Sequence, residues 1–300
     1  MNPSHRTPWL AYACLALSTS IVGCYLGLSK LLVLVFPIFL LAGLRFGIAA
    51  LMMAGWLRKS PDEAPLDARS RWLLFLESFL GNFLFSICLL FGVKQCSAVV
   101  AGVIMAGIPA AVALLSRVFL GERIAPRVLM GITLGVIGIA LVALGKGDSE
   151  AGTSPLGALL LLAAVFCEAS YVVIGKKLTA HLSPKRISAL INLWGLVLVA
   201  PLALWQAITF DFSAPSLPIW GLMVFYAGAA SMLTVWLWMT GLKRVPAARA
   251  GVFMVFLPIA TGLVGLALGE QLGPLQALAF GMAIAGVALA TSKAALPVQA

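Results

Sequence analysis

Ten long apolar segments joined by short connections are the feature of this 300-residue sequence that most restricts its fold. A bilayer core about 30 Å thick is crossed by a helix of about 20 apolar residues. Segments of that length lie at approximately 9–29, 36–57, 72–92, 98–119, 126–145, 155–175, 186–208, 217–240, 246–268 and 274–292. No connection between them is long enough for a separate folded domain. The sequence therefore predicts an all-α integral membrane protein with ten transmembrane helices.

The composition agrees with this fold and argues against several classes of protein. Hydrophobic residues make up 62% of the chain and charged residues 10%, whereas soluble domains are about 45–50% apolar and about 25% charged. A soluble enzyme, a nucleic-acid-binding module and a disordered scaffold are disfavoured, so we expect the lipid bilayer and no nucleic acid as a partner. The sequence has two histidines, His5 and His181, and its five cysteines form no Cys-x-x-Cys motif. We therefore expect no metal, no disulfide and no cofactor.

The basic residues are distributed unevenly between the two sides of the predicted membrane. With a cytoplasmic N-terminus, sixteen of the twenty Lys and Arg residues fall on the cytoplasmic side. Lys30, Lys94 and Lys146 fall on the other side, and Arg45 lies within a helix. Because Lys and Arg collect on the cytoplasmic side of membrane proteins, both termini are predicted to be cytoplasmic. The net charge of +10 then needs no polyanionic partner, and the short chain suits a bacterial inner membrane.

The two halves of the chain resemble each other, which predicts two five-helix repeats at residues 1–150 and 151–300. Residues 90–109 read LFGVKQCSAVVAGVIMAGIP, and residues 239–258 read MTGLKRVPAARAGVFMVFLP. At one fixed offset the shared positions are Gly92 with Gly241, Lys94 with Lys243, Gly102 with Gly251, Met105 with Met254, and Pro109 with Pro258.

An odd number of helices in each repeat places the second repeat in the membrane upside down relative to the first. The charges agree, since the loop around Glu122 is rich in arginine and the matching loop around Glu270 has no Lys or Arg. Inverted repeats of this kind support alternating access, with the substrate held near the midplane in a cavity between the repeats.

Two motifs carry a resemblance to a known family. Pro37-Ile-Phe-Leu-Leu-Ala-Gly-Leu-Arg45-Phe46 resembles the second-helix motif of the EamA family, in the drug/metabolite transporter superfamily. Leu120-Gly121-Glu122-Arg123 and Leu268-Gly269-Glu270, each followed by Pro and a Gly/Ala-rich helix, resemble the signature that ends each repeat of that family. Within the family the chain most resembles bacterial YddG-type exporters. The resemblance implies a ten-helix carrier that exports aromatic and other neutral amino acids.

One acidic side chain lies near the middle of a predicted helix. Ionisable groups at membrane depth are costly, so each is a candidate for function. Glu168 in helix 6 is expected to bind a substrate ammonium or a coupling proton, or to form a structural contact within the bundle. Tyr171, three residues further on, shares its face of the helix.

A basic side chain occupies the middle of helix 2. Arg45 is expected either to attract a substrate carboxylate or to anchor the bundle by bonding to backbone carbonyls or to a carboxylate such as Glu168 or Glu77. Asn192 takes the matching position in the second repeat. Glu77 lies about five residues inside the predicted start of helix 3, where it is expected either to reach toward Arg71 and the membrane interface or to serve function.

Two apolar helices carry stripes of polar residues. Those of helix 3 are Ser78, Asn82 and Ser86, and those of helix 8 are Ser231, Thr234 and Trp238. In lipid such stripes face protein or water. They are therefore predicted to line opposite walls of a substrate cavity or to form hydrogen bonds between helices.

Helices 4 and 9 share a proline and a methionine. Pro109 and Pro258 are expected in the middle of these helices, where a proline causes a kink, as pivots of the transport motion or as static kinks. Met105 and Met254 are expected to form a soft wall of the cavity. The glycines of helix 5 predict close helix packing and also permit a homodimer contact; they are Gly131, Gly135 and Gly138.

These features predict a secondary transporter and not an enzyme, with an amino acid as the expected small-molecule substrate. No phosphate-binding loop and no catalytic triad occurs in the sequence. An exporter of cationic drugs or quaternary ammonium compounds is the first alternative, favoured by Glu168 and Trp238. A phosphorylated-metabolite exchanger would need several basic residues within the membrane, where Arg45 stands alone. A channel or membrane enzyme is disfavoured by the repeats and by the missing catalytic groups.

Overall fold

The computed structural model describes residues 9–59, 63, 65–95, 104–105, 107–144, 154–257, 259–260, 263 and 274–291. Within these residues every regular element is helical. In chain order the helices are α1 (Trp9–Val35), α2 (Ile38–Met52), α3 (Ala68–Ser78, Phe79–Leu84 and Phe85–Lys94 in sequence), α4 (Ile108–Leu120), α5 (Pro126–Leu144), α6 (Pro155–Leu178), α7 (Pro184–Thr209), α8 (Leu217–Ala227, Gly228–Leu233 and Thr234–Arg244 in sequence), α9 (Ala247–Val252, followed by the 3₁₀ turn Phe253–Val255) and α10 (Pro274–Thr291).

Local sequence signals mark where several helices begin and end. The Asp67 carboxylate accepts a hydrogen bond from the amide of Ser70 at 2.8 Å and so caps α3. A proline in the first turn opens α4, α6, α7 and α8, where its missing N–H would have no helical partner. Gly121 closes α4 with φ of +66°, a backbone conformation that other residues rarely adopt.

Four of the described helical segments are long and apolar enough to cross a membrane. They are Ala68–Leu89, Pro155–Leu178, Pro184–Thr209 and Leu217–Arg244. Shorter apolar helices lie in α1, α2, α4, α5 and α10 of the described part. This architecture confirms the predicted all-α class among the described residues, and its apolar helices are consistent with a membrane protein.

The middle segments of α3 and α8 depart from α-helical geometry in the same way. Phe79–Leu84 and Gly228–Leu233 are π-helical, and they start 149 residues apart. That separation equals the offset between the similar sequences at 90–109 and 239–258. A π-helical turn holds an extra residue, so it changes which side chains face a neighbouring helix and is often found at functional sites.

Matching 3₁₀ turns occur before α4 and after the first segment of α9. The amide of Gly107 donates to the carbonyl of Ile104 at 2.9 Å. The amide of Phe256 donates to the carbonyl of Phe253, again 149 residues further along the chain. Both turns interrupt an apolar run that the sequence alone presents as one continuous helix.

The prediction that Pro109 kinks the middle of a helix is wrong. Pro109 lies in the first turn of Ile108–Leu120, directly after the 3₁₀ turn. Proline is tolerated there because its missing N–H would not be bonded in any case. Pro258, its predicted counterpart, lies outside the described residues. A proline inside a helix does occur in α7, at Pro201.

Two pairs of helices pack closely, and each pair joins a helix of the first half of the chain to a helix of the second half. The last segment of α8 packs against α1, and the last segment of α3 packs against α6. A methyl group at Gly241 would lie 2.6 Å from Leu15 Cγ, and one at Gly92 would lie 2.8 Å from Leu161 Cγ. Each pair of helices therefore approaches closely through a glycine and a leucine at corresponding positions.

Helix α5 packs along α10 within the same chain. A methyl group at Gly131 would lie 2.6 Å from the carbonyl oxygen of Gly286, and one at Gly286 would lie 2.7 Å from the carbonyl oxygen of Gly131. The close packing predicted for the α5 glycines is thus made at Gly131 by α10, so a homodimer contact would have to use another part of α5.

Candidate functional site

Buried polar groups join α3, α7 and α8 at the level of the π segments. The Ser78 hydroxyl donates to the carbonyl of Ile191 at 2.8 Å. The Asn192 amide donates to the carbonyl of Ser231 at 2.9 Å. All three predicted site residues in this group, Ser78, Asn192 and Ser231, are buried. In this conformation Ser78 forms a contact between helices, which was one of the two expectations for the polar stripes, and Asn192, the counterpart of Arg45, also bonds to a neighbouring helix.

The rest of the α3 stripe leads from Ser78 toward a more open surface. Asn82 is half-buried, and its amide nitrogen lies 3.4 Å from the Ser78 hydroxyl. Ser86 is exposed and donates to the carbonyl of Asn82 at 2.6 Å. Asn82 and Ser86 therefore keep polar capacity that a solute can reach.

The α8 stripe lies in the interior of the protein. The carbonyl of Thr234 accepts a hydrogen bond from the Ser18 hydroxyl of α1 at 2.8 Å. The Thr234 hydroxyl donates to Ala230 in its own helix. Trp238 is 4% exposed, and its indole Nε1 has no hydrogen-bond partner among the described residues. Trp238 is thus the member of this stripe with an unused donor.

Arg45 lies in the centre of α2 without an acidic partner among the described residues. Its guanidinium carbon is 4.4 Å from the centroid of the Phe46 ring, a cation–π distance. Its Nε atom is buried and makes no hydrogen bond to any residue that the structure describes. The pairing with Glu168 or Glu77 that was one expectation for Arg45 is not formed, which leaves its positive charge available to another anion.

Glu168 lies near the middle of α6 and is half-buried. Its carboxylate forms no ion pair with the described part of the chain. Tyr171, one turn further along α6, packs its ring onto the π segment of α3, where a methyl group at Gly81 would lie 2.5 Å from the ring. The π segment and the acidic face of α6 are therefore neighbours.

A row of aromatic rings on α3, which we call the aromatic ladder, was not predicted. Phe75, Phe79 and Phe83 stack in succession with centroids 5.8 and 5.9 Å apart. Trp194 of α7 meets Phe75 edge to face at 5.3 Å. The spacing of four residues along α3 is the sequence signal that would have indicated this row. The ladder provides an aromatic surface beside Asn82.

The two methionines that were expected to line the cavity lie within the 3₁₀ turns. Met105 is half-buried and packs against the cluster around Leu161. Met254, within the 3₁₀ turn after α9, is half-buried against the main core. Flexible thioether side chains at these irregular turns suit surfaces that repack during motion. Within the described residues no group of three His, Cys, Asp or Glu side chains is placed to hold a metal ion.

Helix ends are tied together at one end of the bundle, which we call the Lys176 end. The Glu122 carboxylate accepts hydrogen bonds from the amides of Ala247 at 2.7 Å and Ala248 at 3.0 Å, at the start of α9. The Lys176 ammonium donates to the carbonyls of Leu242 and Val245, both at 2.7 Å, at the end of α8. An anion at a helix N-terminus and a cation at a C-terminus both stabilise the helix dipole.

A third tie at the same end joins the segment before α3 to α7. Glu63 forms an ion pair with Arg186 at 2.8 Å and accepts the amide of Ser183 at 2.6 Å. Burial acts to raise the pKa of Glu63, but the hydrogen bonds from Ser183 and Arg186 together hold it below its usual value. A cavity of about 450 Å³ lies between these ties. Its lining includes Asp67, Arg69, Glu122, Lys176 and His181.

Glu77 is the functional candidate that sequence reasoning undervalued. The expected reach toward Arg71 is wrong, because Glu77 is 0% exposed and neither carboxylate oxygen has a hydrogen-bond partner among the described residues. One oxygen lies against Gly175 of α6, where a methyl group would be 2.7 Å away. Met239 and Leu242 of α8 close the same site. Its burial results from how α6 and α8 pack on α3, which no local pattern around Glu77 reveals.

Comparisons with known proteins give the family. The sequence matches the profile of the EamA-like transporter family twice, over residues 9–144 and 155–292. The uncharacterized transporter YetK of Bacillus subtilis (strain 168) is 34% identical over 291 residues, which cover 96% of this chain and 88% of the relative. The uncharacterized transporter YyaM of the same organism is 24% identical over 259 residues, 85% of each chain.

A solved structure shares the fold. The solved structure, described only as a crystal structure of a protein, superposes on this chain with a TM-score of 0.73 at 19% sequence identity. The match covers 92% of this chain and 95% of the solved chain. The resemblance expected from Pro37–Phe46 and from the Gly-Glu signatures is thus confirmed over nearly the whole sequence. The chain belongs to the EamA-like transporter family.

Proposed function

We propose that this transporter exports small amphipathic metabolites, chiefly aromatic and other neutral amino acids, by alternating access. The observation that carries the choice of cargo is the presence of two opposite charges, Arg45 in α2 and Glu168 in α6, neither with an ion-pair partner among the described residues. A charge inside a membrane protein is costly without a partner. A zwitterionic amino acid supplies one partner to each.

Each charge has a distinct role in this proposal. Arg45, held against the Phe46 ring, binds the substrate carboxylate, and Glu168 binds the substrate ammonium. Asn82 and Ser86 on α3 offer further hydrogen bonds in this proposal. The substrate side chain lies along apolar surface contributed by the aromatic ladder, Met105, Met254 and Trp238. Tyr171, on the face of Glu168, orients the acidic group.

The proposed motion uses two five-helix repeats, residues 1–150 and 151–300, with inverted topology. Support comes from the π segments in α3 and α8, which share one offset with the 3₁₀ turns near α4 and α9. The two family matches divide the chain at the same place. Exchange of the conformations of two such halves opens the substrate site to one side and closes it to the other.

We place the Lys176 end in the cytoplasm of a bacterium, with the protein in the inner membrane. The basic residues of the α6–α7 connection and of the α8–α9 connection collect at this end, as the cytoplasmic ends of membrane helices do. Glu63, Glu122 and Lys176 tie the helices together there. The conformation described is therefore assigned as closed toward the cytoplasm.

Counterflow in proteoliposomes with substrate analogues tests the binding roles. We expect labelled methionine to exchange with unlabelled methionine, and to exchange at least about tenfold less well with its methyl ester or its N-acetyl form. R45Q should lose methionine exchange while R58Q, at an exposed arginine beyond α2, keeps it. E168Q should lose the preference for a free ammonium over the N-acetyl form. Equal transport of methionine and both analogues would overturn these roles.

A second candidate is an exporter of cationic drugs or quaternary ammonium compounds. The unpaired Glu168 carboxylate and the aromatic ladder favour it, because carboxylates and aromatic faces both attract organic cations. In that case tetraphenylphosphonium would accumulate by counterflow, methionine would not, and R45Q would leave transport unchanged.

A further inference from the structure

Glu77 occupies an apolar site where three helices meet near the Lys176 end. It is the tenth residue of α3, about 14 Å along the helix axis from its start. One oxygen of its carboxyl group lies against Gly175 of α6, and the side chains of Met239 and Leu242 of α8 lie against the same glycine. The next residue, Ser78, fixes this part of α3 to α7 through the carbonyl of Ile191.

No charged group balances Glu77 in the described structure. On α6 the nearest ionisable side chain along the chain is Lys176, whose ammonium is bonded to carbonyls at the end of α8. On α8, Lys243 and Arg244 follow Leu242 but are exposed. On α7, the contact with this part of α3 is made through a backbone carbonyl.

An isolated carboxylate in such a place is very unfavourable, because burial removes its hydration and no group of the described residues replaces it. A protonated carboxyl is neutral and much cheaper to bury. A sodium ion is a poorer match, since hard cations need several oxygen ligands and no polar group among the described residues bonds to either Glu77 oxygen. The closed site therefore holds Glu77 in its neutral, protonated form.

We propose that Glu77 is a proton-binding site whose occupation controls closure at the Lys176 end. Its carboxylate takes a proton from water on that side as α3, α6 and α8 come together, and returns it to the same side when they separate. The inference rests on the proposed alternating access but not on the identity of the cargo. Glu77 acts as a positioning residue, since it contacts neighbouring helices and not the groups assigned to the substrate.

The consequence is a dependence of closure on pH at one side of the membrane. Water-exposed Glu is mostly ionised above about pH 4.3, so closing requires uptake of one proton. The closing step then slows by up to about tenfold for each pH unit on the Lys176 side. Glutamine is neutral at every pH and nearly the same size, so E77Q should close without a proton.

The test measures methionine efflux from proteoliposomes of one orientation while pH is varied on the Lys176 side. We expect the wild-type rate to fall with rising pH and the E77Q rate to be flat. D67N serves as the matched control, because Asp67 is an exposed carboxylate at the same end and asparagine also caps a helix. It should keep the wild-type slope. A wild-type slope in E77Q would overturn the proposal.

A second readout needs no substrate. The infrared spectrum of the wild-type protein in detergent at neutral pH should contain a protonated carboxylic acid band that is missing in E77Q and in E77M. Loss of the band with normal elution of both variants supports the proposal, and an unchanged spectrum overturns it. If the wild type exchanges no methionine at all, the proposed cargo fails, and this spectrum alone decides the role of Glu77.

Discussion

Charged side chains in and beside the membrane helices divide by what they touch. Glu63, Glu122 and Lys176 bond to helix ends or to an opposite charge, and they hold the Lys176 end together. Arg45 and Glu168 meet no opposite charge among the described residues. Charges that pair with each other need no ligand. Charges that have no partner within apolar helices indicate a site for a charged ligand.

The ion pair of Glu63 with Arg186 predicts a loss of stability in acid. The pKa of Glu63 is lowered in the folded protein, so the stabilisation is present above its ordinary value near pH 4.3 and is lost as pH falls through the lower folded value. E63Q should unfold about 1–3 kcal/mol more easily at pH 7. Melting in detergent from pH 7 to pH 3 should show this difference disappearing.

R186Q provides the control for this prediction. It removes one of the two partners of Glu63 and should lower stability at pH 7 with a smaller acid step than in the wild type, because the hydrogen bond from the Ser183 amide remains. An E63Q deficit that stays constant down to pH 3 would contradict the assigned role of the carboxylate.

Glu77 and the aromatic ladder define the limit of residue-level prediction. Their residue types were visible in the sequence, but the burial of Glu77 is created by Gly175, Met239 and Leu242 on two other helices. Arg45 and Glu168 were identified from the sequence alone because a charge in an apolar run stands out wherever its helix packs. The position of a charged residue within an apolar run can thus be read from the local sequence. Whether that charge has a partner depends on how the helices pack and cannot be read there.

At the level of elements, the π segments and 3₁₀ turns are the irregularities that matter for the site. The sequence indicated the helices through their apolar length, whereas the caps at Asp67 and Gly121 were first seen in the structure. The sequence did not indicate where Phe79–Leu84 and Gly228–Leu233 would leave α-helical geometry, because their residues are ordinary helix residues. Pro109 was misplaced for the same reason, since the 3₁₀ turn before it has no sequence signature.

The contact between α5 and α10 gives a sharp test at this scale. G131A would press a methyl group against the Gly286 carbonyl, which is backbone and cannot move alone. We expect a loss of about 1–3 kcal/mol in the free energy of unfolding. G281A, also on a glycine of this helix pair but facing open space, should be unchanged or slightly more stable. Equal unfolding of both variants in detergent would contradict the packing.

For the whole molecule, the membrane class and the family followed from the sequence because apolar length and repeated motifs survive without tertiary information. The family profile matches the chain twice, over residues 9–144 and 155–292. The substrate site does not follow in the same way, because it depends on which faces of α2, α3 and α6 come together. The π segments and the 3₁₀ turns recur 149 residues apart along the chain, and this recurrence supports the proposed motion of two repeats.

The most direct measurement of the central claim is counterflow by the wild-type protein in proteoliposomes. Vesicles would be loaded in turn with methionine, threonine, phenylalanine, glutamate, a sugar phosphate or a quaternary ammonium compound. The account predicts transient uphill accumulation of label with methionine, threonine and phenylalanine, since a carrier that alternates between two sides exchanges its substrate against a gradient. Label that only equilibrates, as through a channel, or that accumulates with the phosphate or the cation alone, would contradict it.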